Sequence, residues 1–223
     1  MHAGFLIFPN LTQLDFTGPL QVLHRLPGST THIVAKTMAP VASDCGLSLL
    51  PTRTFADCPP LDLLCIPGGF GVDDAMQDAE TMAWVRRQGA HAKYITSVCT
   101  GAFILGAAGL LRGKRATTHW AYHELLSLVG AIPTRGRVVR DDNVITGGGV
   151  TAGIDFALTV AAEIAGAEVA QSIQLAIEYD PAPPFDAGAP EKAPAPIRAT
   201  QESRYGNRRE AFRAALDAAL KMT

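Results

Sequence analysis

Short apolar runs alternate along this chain with longer stretches of helical period. Runs such as Gly4-Phe5-Leu6-Ile7-Phe8 and Leu63-Leu64-Cys65-Ile66 are too short for helices and lack the polar alternation of a half-exposed strand. They read as strands of a parallel sheet buried on both faces. The pattern predicts strands at 4–8, 32–36, 63–66, 94–98, 115–118 and 143–146. Helices are expected at 17–26, 79–91, 101–109, 120–129, 152–165 and 167–178. Residues 137–144 read as a hairpin with a polar turn. The Pro-, Ala- and Gly-rich segment 180–196 reads as an irregular wrap, and a charged, Ala-rich helix is expected from there to about 221. The class is α/β.

Composition narrows the field without naming a chemistry. With 223 residues, 48% hydrophobic and 18% charged, the chain can bury a large core. A formal charge of −2 gives no electrostatic case for nucleic acid or an anionic membrane as partner. The N-terminal stretch lacks a basic region and a signal cleavage pattern, so a cytoplasmic protein is expected. No CxxC or Cys/His ligand spacing occurs, nor a GxGxxG or P-loop after the first strand. No metal and no cofactor is expected.

The chemistry concentrates on Cys99. It ends the run Tyr94-Ile95-Thr96-Ser97-Val98 and precedes Thr100-Gly101-Ala102 and a helical stretch, the layout of a nucleophile elbow. Such a turn is expected to hold its apex residue exposed and strained, with Gly101 making room for crowded backbone. The following helix N-terminus is expected to favour thiolate over thiol. Cys45, Cys58 and Cys65 have no such setting and read as small hydrophobes. Glycine turns at Pro67-Gly68-Gly69 and Gly147-Gly148-Gly149 fall on the same carboxyl edge of the sheet, where open α/β sheets place ligands. Backbone amides of Gly69 and Thr100 are therefore candidates to stabilise charge beside the sulfur.

Three residues could move protons for it: Asp15, His119 and His123. Asp15 reads equally as the N-cap of the first helix or as an acid at the sheet edge. His119 ends a predicted strand and could contact the sulfur, whereas His123 reads as a surface or packing residue.

With the segments FLIFPNLTQLDFTGPLQVL, IPGGFG, ITSVCTGAFILGAAGLLRGKRATTHW and ITGGGVTAGIDFAL in view, the chain resembles the ThiJ/PfpI superfamily of the class I glutamine amidotransferase-like fold. The resemblance implies a single-domain flavodoxin-like three-layer sandwich over residues 1–190, with a C-terminal helical extension at 191–223. Within the superfamily the chain looks most like the isocyanide-hydrating branch, then like the N-terminal domains of AraC-type regulators. Its last segment is too short for their paired helix-turn-helix units. Protease-like members carry His after the cysteine; position 100 here is Thr. The resemblance implies Cys99 as nucleophile, Asp15 as general acid/base, Thr100 as hydroxyl and amide donor, and Val150 lining the site. A small, largely apolar substrate is expected to meet Gly69, Phe70, Phe16, Val150, His119 and Trp120. The rivals are glyoxalase- or amidase-like chemistry and a redox or small-molecule sensor. A homodimer is expected, as is common in the superfamily.

Overall fold

A computed structural model describes residues 1–222. The strands are β1 (His2–Leu6), β2 (Thr30–Ala35), β3 (Val41–Ala42), β4 (Ser48–Leu49), β5 (Arg53–Thr54), β6 (Leu63–Ile66), β7 (Tyr94–Val98), β8 (Arg115–Ala116), β9 (Ile132–Pro133), β10 (Val138–Asp141) and β11 (Val144–Gly147). Seven of them form one sheet in the order β10-β11-β7-β6-β1-β2-β5. All neighbours in it run parallel except β10, which returns antiparallel from β11 through the expected hairpin. β6 is buried along its whole length, and β1 and β7 are buried after their first residue. Continuous apolar sequence follows from having helices on both faces.

The helices are α1 (Gln13–Leu23), α2 (Val72–Gln77), α3 (Ala79–Gly89), α4 (Gly101–Ala107), α5 (Ala152–Ala165), α6 (Ala167–Ala176) and α7 (Ala195–Lys221). α1 and α5 pack closely because small residues face each other there. A β-carbon on Gly18 would lie 3.3 Å from Ile154, and one on Gly153 would lie 3.1 Å from the Pro19 ring. Through this contact the helix carrying Asp15 is seated against the helix that follows Val150. α7 enters the same core with Phe212, Leu216 and Ala219.

Several local expectations are corrected. The first helix starts four residues early, at Gln13, because the Asp15 N–H already bonds the Thr12 carbonyl at 3.0 Å. Asp15 therefore sits in the first helical turn and is not the N-cap. The segment Trp120–Val129 winds as 3₁₀ turns, whose i, i+3 stacking buries Tyr122 with Leu125 and Leu126 with Val129 on one side. The strand expected at 115–118 shrinks to β8, which pairs with β9 outside the main sheet. Thr117 and Thr118 spend their hydrogen bonds elsewhere: the Thr117 N–H goes to Thr146 Oγ1, and the Thr118 hydroxyl to the Cys99 carbonyl. The β3–β4 hairpin, β5 and α2 were not foreseen. Cys45 is exposed, unlike Cys65, and so does not act as a core residue.

Candidate active site

The strand β7 delivers Cys99 to the carboxyl edge of the sheet and α4 begins two residues later. Cys99 has φ 55°, the left-handed region that a β-carbon disfavours. Its backbone is fixed on both sides. The N–H donates to the carbonyls of Gly147 (3.1 Å) and Gly148 (2.9 Å), and the carbonyl accepts the Thr118 hydroxyl at 2.7 Å. Strain persists where neighbours over-determine a conformation in this way. Gly101 is required by space: a β-carbon there would collide with the carbonyl oxygens of Ile66 and Pro67.

The backbone amides of Thr100 and Val150 and the carboxyl of Asp15 lie beside the sulfur. Two expectations fall here. Cys99 is only 6% exposed. Its thiol is pushed well above the ordinary 9.0, first by burial and then by the Asp15 charge, which together outweigh the two amides. Desolvation and the neighbouring carboxyl thus oppose the pull of the helix N-terminus toward thiolate. The Gly69 amide is also elsewhere, donating to Thr100 Oγ1 at 3.1 Å, and the Val150 amide is the one beside the sulfur with that of Thr100. Val150 reaches that position with φ 23°.

Asp15 is fully buried. Its Oδ2 accepts the Gly68 N–H at 3.0 Å, while Oδ1 has no well-directed hydrogen bond, so the contact with the thiol is close but imperfectly aligned. Burial raises the carboxyl from 3.8 to about 7, although the Gly68 N–H and the Cys99 contact pull it down; Asp44 adds a smaller upward push. A β-carbon on Gly68 would lie 2.6 Å from the Thr100 nitrogen and 2.9 Å from Asp15 Oδ2, so only glycine lets this turn close over the pair. A buried carboxyl that titrates near neutral pH beside a thiol can accept and return a proton at working pH.

The sulfur opens into a cavity of about 60 Å³ that Asp15 itself does not line. Gly69, Phe70, Thr100, His119 and Val150 line it, as the sequence led us to expect. Phe16 does not. It is 2% exposed and packs edge-to-face on Phe5, ring centroids 5.9 Å apart, because the earlier helix start turns it into the core. Trp120 lies outside the lining and walls a neighbouring groove, its ring tilted against that of His119 with centroids 5.6 Å apart. His119 Nδ1 accepts the Ala121 N–H at 3.3 Å, and burial lowers the ring to about 4. It is a neutral wall residue with no hydrogen bond to the sulfur among those found for the described residues, and is unsuited to serve as the base. His123 buries both ring nitrogens without hydrogen-bond partners and stands outside the lining.

Thr12, Tyr122 and Tyr205 complete the lining, and none was foreseen. Tyr122 stands three residues after His119, which a 3₁₀ reading of the segment would have put on the same side. Tyr205 sits in the charged C-terminal segment expected to be a solvated or partner-packing helix.

Comparison with known proteins agrees with this architecture. The DJ-1/PfpI family profile matches residues 1–163. The chain is 58% identical over 197 residues to an isonitrile hydratase of Pseudomonas putida, covering 88% of this chain and 86% of that protein. A crystal structure of a ThiJ/PfpI family protein from Pseudomonas syringae superposes with TM-score 0.93 at 47% identity, covering 98% of this chain and 90% of the other. The helix-turn-helix regulator GbdR of Pseudomonas aeruginosa is 26% identical over 187 residues, 79% of this chain but only 50% of the regulator. On the extent of the profile match and of these identities, the chain belongs to the DJ-1/PfpI family.

Proposed function

We propose that this protein is an enzyme that hydrates isocyanides to N-substituted formamides through a thioimidate on Cys99. The observation that carries the reading is geometric: the Cys99 thiol, held at φ 55° on the strand-to-helix turn, lies against the fully buried Asp15 carboxyl. The 58% identity to an isonitrile hydratase supports the substrate class.

An isocyanide carbon must gain both a nucleophile and a proton, and this pair holds one of each. Ionised Asp15 takes the thiol proton as sulfur bonds to the carbon of R–N≡C, then delivers it to that carbon, giving R–N=CH–S–Cys99. The Thr100 and Val150 amides stabilise the sulfur while it carries charge. Water then adds to the same carbon, and the proton it loses to Asp15 is passed on to the nitrogen. Collapse of R–NH–CH(OH)–S–Cys99 expels the sulfur, which recovers its proton, and releases R–NH–CHO. The sum is R–N≡C plus H₂O. Thr100 Oγ1, bonded to the Gly69 amide, steadies the turn opposite the sulfur.

The burial of Cys99, 6% exposed, argues against a redox sensor, which needs an accessible thiol. We also propose that the enzyme is a cytoplasmic homodimer; among the described residues no helix is long and apolar enough to cross a membrane. The test is a panel of isocyanides, dicarbonyls and primary amides incubated with wild type and Cys99→Ala. Formamide produced from isocyanides alone, and lost in the variant, is the expected result. Turnover of dicarbonyls or amides at higher kcat/KM would replace this reading with the corresponding rival.

A further inference from the structure

The outer wall of the Cys99 cavity comes from outside the family profile, which ends at residue 163. It is supplied by α7. This helix is unevenly held: its buried residues, Phe212, Leu216 and Ala219, all lie in its C-terminal half. Phe212 wedges between Phe103 and Tyr122, with centroids 4.8 and 4.9 Å away. Two turns earlier, Tyr205 lies over the cavity, its ring 5.1 Å from His119 and 6.0 Å from Tyr122. Arg208 ties this stretch to the opposite rim. Its Nη2 donates to the Phe70 carbonyl at 3.0 Å, its guanidinium carbon stands 4.1 Å from the Phe70 ring centroid, and it reaches the Tyr122 hydroxyl. A cation over an aromatic face and a charge-assisted hydrogen bond from one side chain restrain the helix where Tyr205 projects.

The space over the sulfur is small and open on one side. At about 60 Å³ it is less than half of the ~150 Å³ that admits a benzene ring in an engineered apolar cavity. The two-atom isocyano head fits beside the sulfur, but a branched or cyclic substituent must meet Tyr205.

We propose that Tyr205, held in place by Arg208, is the specificity-determining wall of this enzyme and limits the girth of the group on the isocyanide nitrogen. Arg208 is a positioning residue in this account. The proposal rests on the isocyanide reading, so its test has an arm that does not.

In the first arm, kcat/KM is measured for n-pentyl and cyclohexyl isocyanide with wild type, Tyr205→Ala, Tyr205→Phe and Arg208→Met. Tyr205→Ala is expected to raise the cyclohexyl-to-pentyl ratio at least tenfold, chiefly by lowering KM for the cyclohexyl compound. Tyr205→Phe keeps the ratio within twofold of wild type, and Arg208→Met moves it in the same direction as Ala by a smaller factor. In the second arm, peptide mass spectrometry follows alkylation of Cys99 by N-cyclohexylmaleimide relative to N-methylmaleimide at pH 8.5. The relative rate is expected to rise about tenfold in Tyr205→Ala. If Tyr205→Ala does not fold, Arg208→Met carries both comparisons. Absence of isocyanide turnover in wild type, together with the alkylation shift, would sink the proposed reaction and leave the wall standing. Unchanged ratios in the alkylation arm would overturn the wall, whatever the enzyme turns over.

Discussion

Replacing Asp15 by Asn should make the protein more stable while disabling it, and the gain should depend on pH. Burial raises the carboxyl from 3.8 to about 7. Each unit is worth about 1.4 kcal/mol, so carrying Asp15 ionised costs the fold on the order of 4 kcal/mol. The native carboxyl holds its proton to higher pH than the unfolded one. The penalty is therefore absent below pH 3.8, grows as pH rises, and is complete above about 7. It amounts to about 1.6 kcal/mol at pH 5 and about 4 kcal/mol at pH 8.5. Asn keeps an acceptor for the Gly68 N–H and carries no charge at either pH. Urea titrations of wild type and Asp15→Asn at the two pH values measure the effect as a change in midpoint at constant slope. The advantage of the variant should widen by about 2–3 kcal/mol between pH 5 and pH 8.5, other titrating groups cancelling in the comparison. An advantage that is the same at both pH values would refute the reasoning, since it would mean that Asp15 does not titrate in this range.

The same titration should appear in catalysis: kcat/KM rises with pH through an apparent value near 7 that belongs to the Cys99–Asp15 pair, and a stopped-time assay of Asp15→Asn shows no such rise on its small residual rate. Gly101→Ala should lower stability by about 3 kcal/mol by chemical denaturation, because its β-carbon meets two backbone carbonyls with no freedom to move aside. Phe16→Leu should cost about 1 kcal/mol of stability and leave KM for an isocyanide within twofold, since the ring packs on Phe5 and not on the cavity. A large change in KM would return Phe16 to the binding surface.

The sheet and the elbow were legible because each is dictated locally. Uniform apolar runs specify buried strands, and a cysteine between such a run and Thr100-Gly101 specifies a strand-to-helix turn. The start of α1 was not, since the stretch Thr12 to Thr17 has no residue that forbids an earlier helix, and the four-residue shift moved Phe16 to the core. The burial of the sulfur was missed for a different reason. A helix N-terminus can be read from sequence, whereas desolvation depends on what long-range packing places around the sulfur. The same holds for Val150, whose amide reaches Cys99 only through the close seating of α5 on α1. The outer wall was partly legible: Tyr205, Phe212, Leu216 and Ala219 recur at helical spacing in the charged C-terminal segment. The charges around them concealed the stripe.

The central claim is a covalent step at one sulfur, and mass spectrometry of an acid-quenched reaction addresses it directly. Wild-type enzyme is mixed with excess isocyanide and quenched in acid at times shorter than one turnover, then digested and mapped. The account predicts a peptide containing Cys99 heavier by the mass of one whole isocyanide molecule, and no such increment on Cys45, Cys58 or Cys65. Formamide production at the wild-type rate by Cys99→Ala, with no labelled Cys99 peptide at any quench time, would contradict it.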